Sequence, residues 1–302
     1  MRKTLVDSLL SYCGDKKFCM LCGDLGFNAL EPLQEKLGDR FINAGIAEQN
    51  MISVAAGLAR LGMRPWIYSI APFIYARAFE QIRNDVCLHN LPVVMIGSGA
   101  GYGYGVNGPT HHALEDCGSM SSLQNMTVYT PAFKDDFKYL TKIMICTKHP
   151  IYLRLGRDEA PSDYIPDAFS SYRELIHGNK GIILTIGGMA GMLIETIHSI
   201  DNEKIPSLWV CGEMPVKFEE MNAVLLNQIQ NTDYLLITED HVSTGGLGEQ
   251  FITQIMQHGV VPKKFYHRCA KGYITGLYGS QDFYREENGI GPKSLKEFIE
   301  NA

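Results

Sequence analysis

Two short stretches carry side chains suited to chemistry. Glu48 stands in Gly45-Ile-Ala-Glu-Gln-Asn50, just ahead of Met51, Val54, Ala55, Leu58 and Leu61. Apolar residues at three- and four-residue spacing predict an amphipathic helix, so Glu48 falls in its first turn. The positive end of a helix favours the charged carboxylate, whereas burial favours the neutral acid that can share a proton. The second stretch is Asn107-Gly-Pro-Thr-His-His112. His111 follows a Gly-Pro turn there, a setting that holds an imidazole at a site entrance for proton transfer near neutral pH.

Other patterns point to bland roles. Cys19-Met-Leu-Cys22 lies inside an apolar run that reads as a buried strand, and no second CxxC completes a zinc site. His111, His112 and Asp116 lack a further set of metal ligands. Gly99-Ala-Gly-Tyr-Gly-Tyr-Gly105 leads into Asn-Gly-Pro-Thr and not into a helix, which argues against a dinucleotide loop. Asp24 ends an apolar run as a strand-end cap would, and His241 reads as structural.

The elements that must position these groups alternate. Strands are expected at 18–22, 40–43, 64–70, 92–97, 127–130 and 150–155. Helices are expected at 3–12, 29–37, 75–86 and 133–147, besides the Glu48 helix. Alternation of this kind implies an α/β fold with a doubly wound parallel sheet. The acid- and proline-rich Asp158-Glu-Ala-Pro-Ser-Asp-Tyr-Ile-Pro-Asp167 reads as a boundary. Beyond it, strands at 181–187, 207–210 and 234–238 alternate with helices at 189–199, 218–230 and 246–257. Two doubly wound domains are therefore expected, spanning 1–160 and 175–302.

Composition excludes several classes. The 302 residues are 45% hydrophobic and 20% charged, values of a globular chain with material for two cores. A net charge of -6 argues against nucleic-acid or anionic-membrane partners. No run of 18 apolar residues suggests a membrane span, and the basic start Met1-Arg-Lys is broken by Asp7 too early for a secretory signal. Eight scattered cysteines fit reduced thiols in a cytoplasmic protein.

The Gly45–Asn50 and Asn107–His112 stretches, in this order and at this separation, resemble the thiamine-diphosphate enzymes of the transketolase family. That family is related to the 1-deoxyxylulose-5-phosphate synthases and the pyruvate-dehydrogenase beta subunits. The resemblance covers nearly the whole chain. It implies a pyrimidine-binding domain followed by a transketolase C-terminal domain, the latter signalled by Met214-Pro-Val-Lys-Phe218 and Thr238-Glu-Asp-His-Val-Ser-Thr-Gly-Gly-Leu-Gly248. Glu48 matches the family carboxylate bonded to the cofactor's ring nitrogen N1′. Phe73 and Phe79 match the aromatic slot of the pyrimidine, with Ala76 where another aromatic is frequent and Tyr75 as its substitute. Asp24 matches an acid near the cofactor. His111 matches the histidine that contacts the donor substrate, and Arg157 and Arg2 match phosphate-binding arginines. Asn28 stands where a phosphate-binding Ser is usual, Asn107 replaces a hydroxyl-reading Asp, and Gly99 stands where a substrate His is usual.

The resemblance also implies what the chain lacks. The family binds diphosphate and Mg2+ through Gly-Asp-Gly followed some thirty residues later by Asn. Here only Gly23-Asp-Leu25 is similar, with Asn43 too near. The expectation is the beta-type subunit of a split transketolase, with a separate N-terminal subunit carrying the diphosphate and Mg2+ site, in an α2β2 assembly. Such an enzyme transfers a two-carbon ketol unit from a ketose to an aldehyde. A 2-oxo acid decarboxylating or carboligating enzyme and a non-catalytic scaffold are the alternatives.

Overall fold

Phe18–Cys22 (β1) is apolar at every position, so it cannot present one wet face, and all five residues are buried. Strands of this kind belong to parallel sheets covered by helices on both faces. Phe41–Asn43 (β2), Arg64–Ile70 (β3), Val94–Ser98 (β4), Thr127–Tyr129 (β5) and Ile151–Leu155 (β6) follow. The second half adds Tyr172–Ile176 (β7), Ile182–Ile186 (β8), Ser207–Cys211 (β9), Glu213–Met214 (β10), Leu235–Glu239 (β11) and Phe265–Cys269 (β12). The computed structural model describes residues 1–157, 159–201 and 204–302. Asp158, the first residue of the expected boundary, lies outside the described residues.

The described strands form a seven-stranded sheet in the order β10-β5-β6-β4-β3-β1-β2 and a five-stranded sheet in the order β12-β11-β8-β9-β7. Both are parallel except at an edge, where β10 runs antiparallel to β5 and β7 antiparallel to β9. The α/β expectation is borne out, with these two antiparallel edge strands added. One hydrophobic cluster runs from Met51 and Ile67 in the first half to Leu184 and Leu236 in the second. A second cluster, with Leu9, Phe18, Trp66 and Phe137, covers the other face of the first sheet.

Register places the site. Cys22 lies opposite Asn43, Ile70 opposite Ser98, and Ser98 opposite Leu155. The strands therefore end nearly level, and the segments carrying Asp24, Glu48, Phe73, His111 and Arg157 all leave from carboxyl ends of parallel strands. Open α/β sheets bind ligands at that edge.

The two sheets meet through buried charge. Arg154 of β6 bonds Asp116 at 2.9 Å and Asp240, just past β11, at 2.8 Å. Arg285 reaches the other Asp240 oxygen at 3.0 Å. Burial raises a carboxyl pKa, but Arg154 and Arg285 outweigh it and hold Asp240 at about 2.

Two expected helices differ. The helix expected at 75–86 begins earlier, at Ala71–Tyr75, because Pro72 favours a first turn. It breaks at Ala76–Ala78, resumes as Phe79–Gln81 and widens into π turns over Ile82–Cys87. The helix expected at 218–230 is a short turn at Phe218–Glu220 and then Ala223–Asn231, which restarts where Asn222 accepts from the Val224 amide at 2.8 Å.

Candidate active site

Glu48 opens the helix Glu48–Arg60 and is 1% exposed. Asn43 staples the turn that delivers it. Its Oδ1 accepts from the amides of Gly45 at 2.9 Å and Asp24 at 3.1 Å, and its Nδ2 donates to Asp24 Oδ1 at 2.9 Å. Asp24 is thereby fixed in an exposed, left-handed loop position with a φ of 57°. A Cβ at Gly23 would lie 3.4 Å from Glu48 Oε1, so the glycine keeps the space beside that oxygen clear. Arg77 Nη1 donates to the other oxygen, Oε2, at 2.6 Å.

Phe73 lies in the helix after β3. Its ring takes the Arg77 guanidinium at 4.4 Å on its face and the His111 ring edge-on at 5.6 Å. His111 also meets Tyr104 at 5.8 Å, and Arg157 lies 4.8 Å from the Tyr104 ring centre. A continuous strip thus runs Glu48–Arg77–Phe73–His111–Tyr104–Arg157. Thr110 shares a hydrogen bond with His111 Nδ1 at 2.9 Å. Beyond Tyr104, Arg2, Arg157 and Ser98 line a cavity of about 360 Å³ with that ring. Burial raises the Tyr104 pKa and keeps its phenol neutral.

Gly99 has a φ of +89°, and a Cβ there would run into the Tyr104 ring. Tyr104 therefore fills the space beside the position where the family resemblance places a histidine.

Phe79 is half-buried and packs on the main core. The Tyr75 hydroxyl donates to Glu115 at 2.8 Å, so it is committed away from Phe73. Asn107 is exposed and ends the short helix Gly105–Asn107. Asn28, exposed with a φ of 60°, belongs to the Asp24 loop, where its amide donates to Glu31 at 2.7 Å. His241 is buried; the Gly118 amide donates to its Nε2 at 3.0 Å and its Nδ1–H donates to the Val242 carbonyl at 2.7 Å. Those bonds occupy both ring nitrogens and hold His241 as a structural residue. Among the described residues no group of three or more His, Cys, Asp or Glu side chains is placed to hold a metal ion. No described helix is long and apolar enough to cross a membrane.

Sequence reasoning did not single out Arg77, Asn43 or Tyr104 as parts of the site. For Arg77 the signal was present: a lone cation four residues after Phe73, the spacing at which helical side chains meet. Another contact lay outside any local pattern. The loop bearing His111 is pinned by His112, whose Nε2–H donates to the Gly105 carbonyl at 2.9 Å and whose Nδ1 accepts from the Tyr273 hydroxyl at 3.1 Å. Burial lowers the His112 pKa, consistent with a neutral ring.

Residues 15–162 match the transketolase pyrimidine-binding domain. A split-gene transketolase, solved as an inactive beta4 tetramer, superposes with a TM-score of 0.81 and 26% identity over 100% of this chain and 97% of that one. The chain belongs to the transketolase family. Within that family it is 27% identical to one of the subunits of the apulose-4-phosphate transketolase of Actinobacillus succinogenes, over 88% of this chain and 86% of the relative. It is 25% identical to 1-deoxy-D-xylulose-5-phosphate synthase of Halothermothrix orenii over 88% of this chain, which spans only 43% of that enzyme. The transketolase of Leishmania mexicana shares the fold, with a TM-score of 0.78 at 16% identity, and this chain covers 45% of its length. The chain thus spans less than half the length of the single-chain enzymes and nearly all of the split-gene beta chain.

Proposed function

We propose that this chain is the beta-type subunit of a thiamine-diphosphate-dependent transketolase-like enzyme, active with a separate subunit that carries the diphosphate and Mg2+ site. One observation supports the reading most. A planar, positively charged group already stacks on Phe73 while it bonds the buried Glu48 carboxylate. An aminopyrimidine has the same needs, so the residues present fit this half of the cofactor. When bound, thiamine diphosphate supplies the nucleophile and electron sink for cleaving and forming the bond beside a carbonyl.

The chain's own residues perform the rest. Glu48, shielded from water, holds a proton between its carboxylate and the ring nitrogen N1′ and so sets the ring's tautomer. Phe73 gives the flat face, and Asp24, held by Asn43 in the loop after Gly23, is assigned to the cofactor's surroundings. His111, beside Phe73, orients the donor ketose and exchanges a proton with its oxygen. Asn107 contacts the sugar near the entrance. Arg157 and Arg2 bind a phosphate in the cavity beyond Tyr104, as suits guanidinium groups, and Asn28 contributes from the neighbouring loop. The phosphorylated substrate in the name of the A. succinogenes relative supports that assignment. The inactive beta4 tetramer of the split-gene relative supports the need for a partner, and we assign an α2β2 assembly. Free thiols at all eight cysteines support a cytoplasmic setting.

The 1-deoxy-D-xylulose-5-phosphate synthase relatives favour a second reading, decarboxylation of a 2-oxo acid followed by carboligation. The reconstituted pair is supplied with a ketose phosphate plus an aldehyde, and separately with pyruvate. Aldehyde release from the ketose, lost in Glu48→Ala, supports ketol transfer. CO2 release from pyruvate without ketose cleavage overturns it in favour of the second reading.

A further inference from the structure

The Arg77 guanidinium makes two contacts at once. It lies on the Phe73 ring face and bonds Glu48 Oε2. These are the two contacts that the proposed function gives to the cofactor's aminopyrimidine, and the inference rests on that reading. Two planar groups cannot occupy one ring face and one carboxylate edge together. We propose that Arg77 is a stand-in for the pyrimidine: it closes the slot in the cofactor-free chain and swings out when the cofactor enters.

Three features carry this. Glu48 is 1% exposed, and a buried carboxylate without a partner is costly, so it requires a counter-charge whenever no pyrimidine is bound to it. Arg77 is 42% exposed, so its head has water to swing into. It also sits in the Ala76–Ala78 break between helical segments, where its amide bonds the Pro72 carbonyl five residues back at 3.2 Å and departs from the regular four-residue ladder. Half-exposed ion pairs and exposed cation–π contacts are weak enough for a ligand to displace. Lysine would neutralise Glu48 but lacks the flat face that mimics a ring.

The test uses all 302 residues with a diphosphate-domain partner, titrated with thiamine diphosphate and Mg2+, with association followed by stopped-flow fluorescence. Arg77→Ala should bind the cofactor about 3- to 10-fold more tightly, mainly through a faster association rate, the scale of one weak ion pair plus one cation–π contact. Arg77→Lys should fall between. Without cofactor, Arg77→Ala should melt at a lower temperature, and adding Glu48→Gln should restore the melting point. Unchanged or weaker cofactor binding by Arg77→Ala, with native binding intact, overturns the stand-in role alone. Absence of binding by the native pair overturns the cofactor reading and the stand-in with it.

Discussion

Arg154 of the first sheet and Asp240 of the second form a fully buried ion pair 2.8 Å long. Burying two charges is worthwhile only where further bonds complete them. Here Asp116 takes another part of the guanidinium, and Arg285 takes the second Asp240 oxygen. Asp240→Ala should therefore lower the unfolding free energy by about 3–5 kcal/mol, measured by denaturant titration, because it strands a buried arginine. A change below about 1 kcal/mol, the scale of an exposed pair, would show that this contact does not join the sheets.

Acid adds a second check on the same pair. The folded pKa of Asp240 is depressed, so its stabilisation is complete above the unfolded value and disappears as pH falls through the folded one. The displacement from 3.8 to about 2 amounts to about 2 kcal/mol. Stability should hold above pH 4 on this account and decline between pH 4 and 2, and Asp240→Asn should flatten that part of the profile. An unchanged acid limb in the variant would contradict the assignment.

His112 titrates in a different window. Burial lowers its pKa from 6.5, so the folded state holds the neutral ring. Its contribution should be full above pH 6.5 and lost as pH falls through the folded pKa, since the unfolded chain takes up the proton first. Hydrogen exchange of the Gly105–His111 loop should rise on that descent. His112→Gln, which cannot titrate, should remove the pH dependence; its persistence would place the titrating group elsewhere.

Phe73 and Phe79 should separate function from packing. Phe73→Ala removes a stacking face and should weaken cofactor binding by about tenfold, the scale of an aromatic pair, with a small effect on folding. Phe79 packs on the core, so Phe79→Ala should lower stability by about 3 kcal/mol or less, given its partial burial, and leave affinity nearly unchanged. Calorimetry and thermal melting decide. The reverse pattern would move the pyrimidine slot towards Phe79.

Much of this arrangement was legible in the sequence because strand–helix alternation forces loops to one sheet edge. The stretches around Asp24, Glu48, His111 and Arg157 each follow an apolar run, so their convergence is a consequence of topology. The edge strands β7, β10 and β12 were not legible, although β2 was. Phe265–Cys269 is mostly exposed or half-exposed, and Tyr172–Ile176 carries Arg173 and Glu174, whose charges interrupt the apolar run. Arg173 is nonetheless buried because Asp136 bonds it at 2.9 Å, a partner 37 positions away. The Tyr273–His112 contact spans 161 positions. Such pairings depend on how the halves pack, and no local periodicity records them.

The central claim is that this chain supplies only the pyrimidine half of a shared site. Isothermal titration of thiamine diphosphate with Mg2+ into the purified chain, and into the chain with its diphosphate-domain partner, tests it directly. Binding by the pair and none by the chain alone is the predicted result. Tight, Mg2+-dependent binding by the chain alone would contradict it, because a diphosphate site would then lie within these 302 residues.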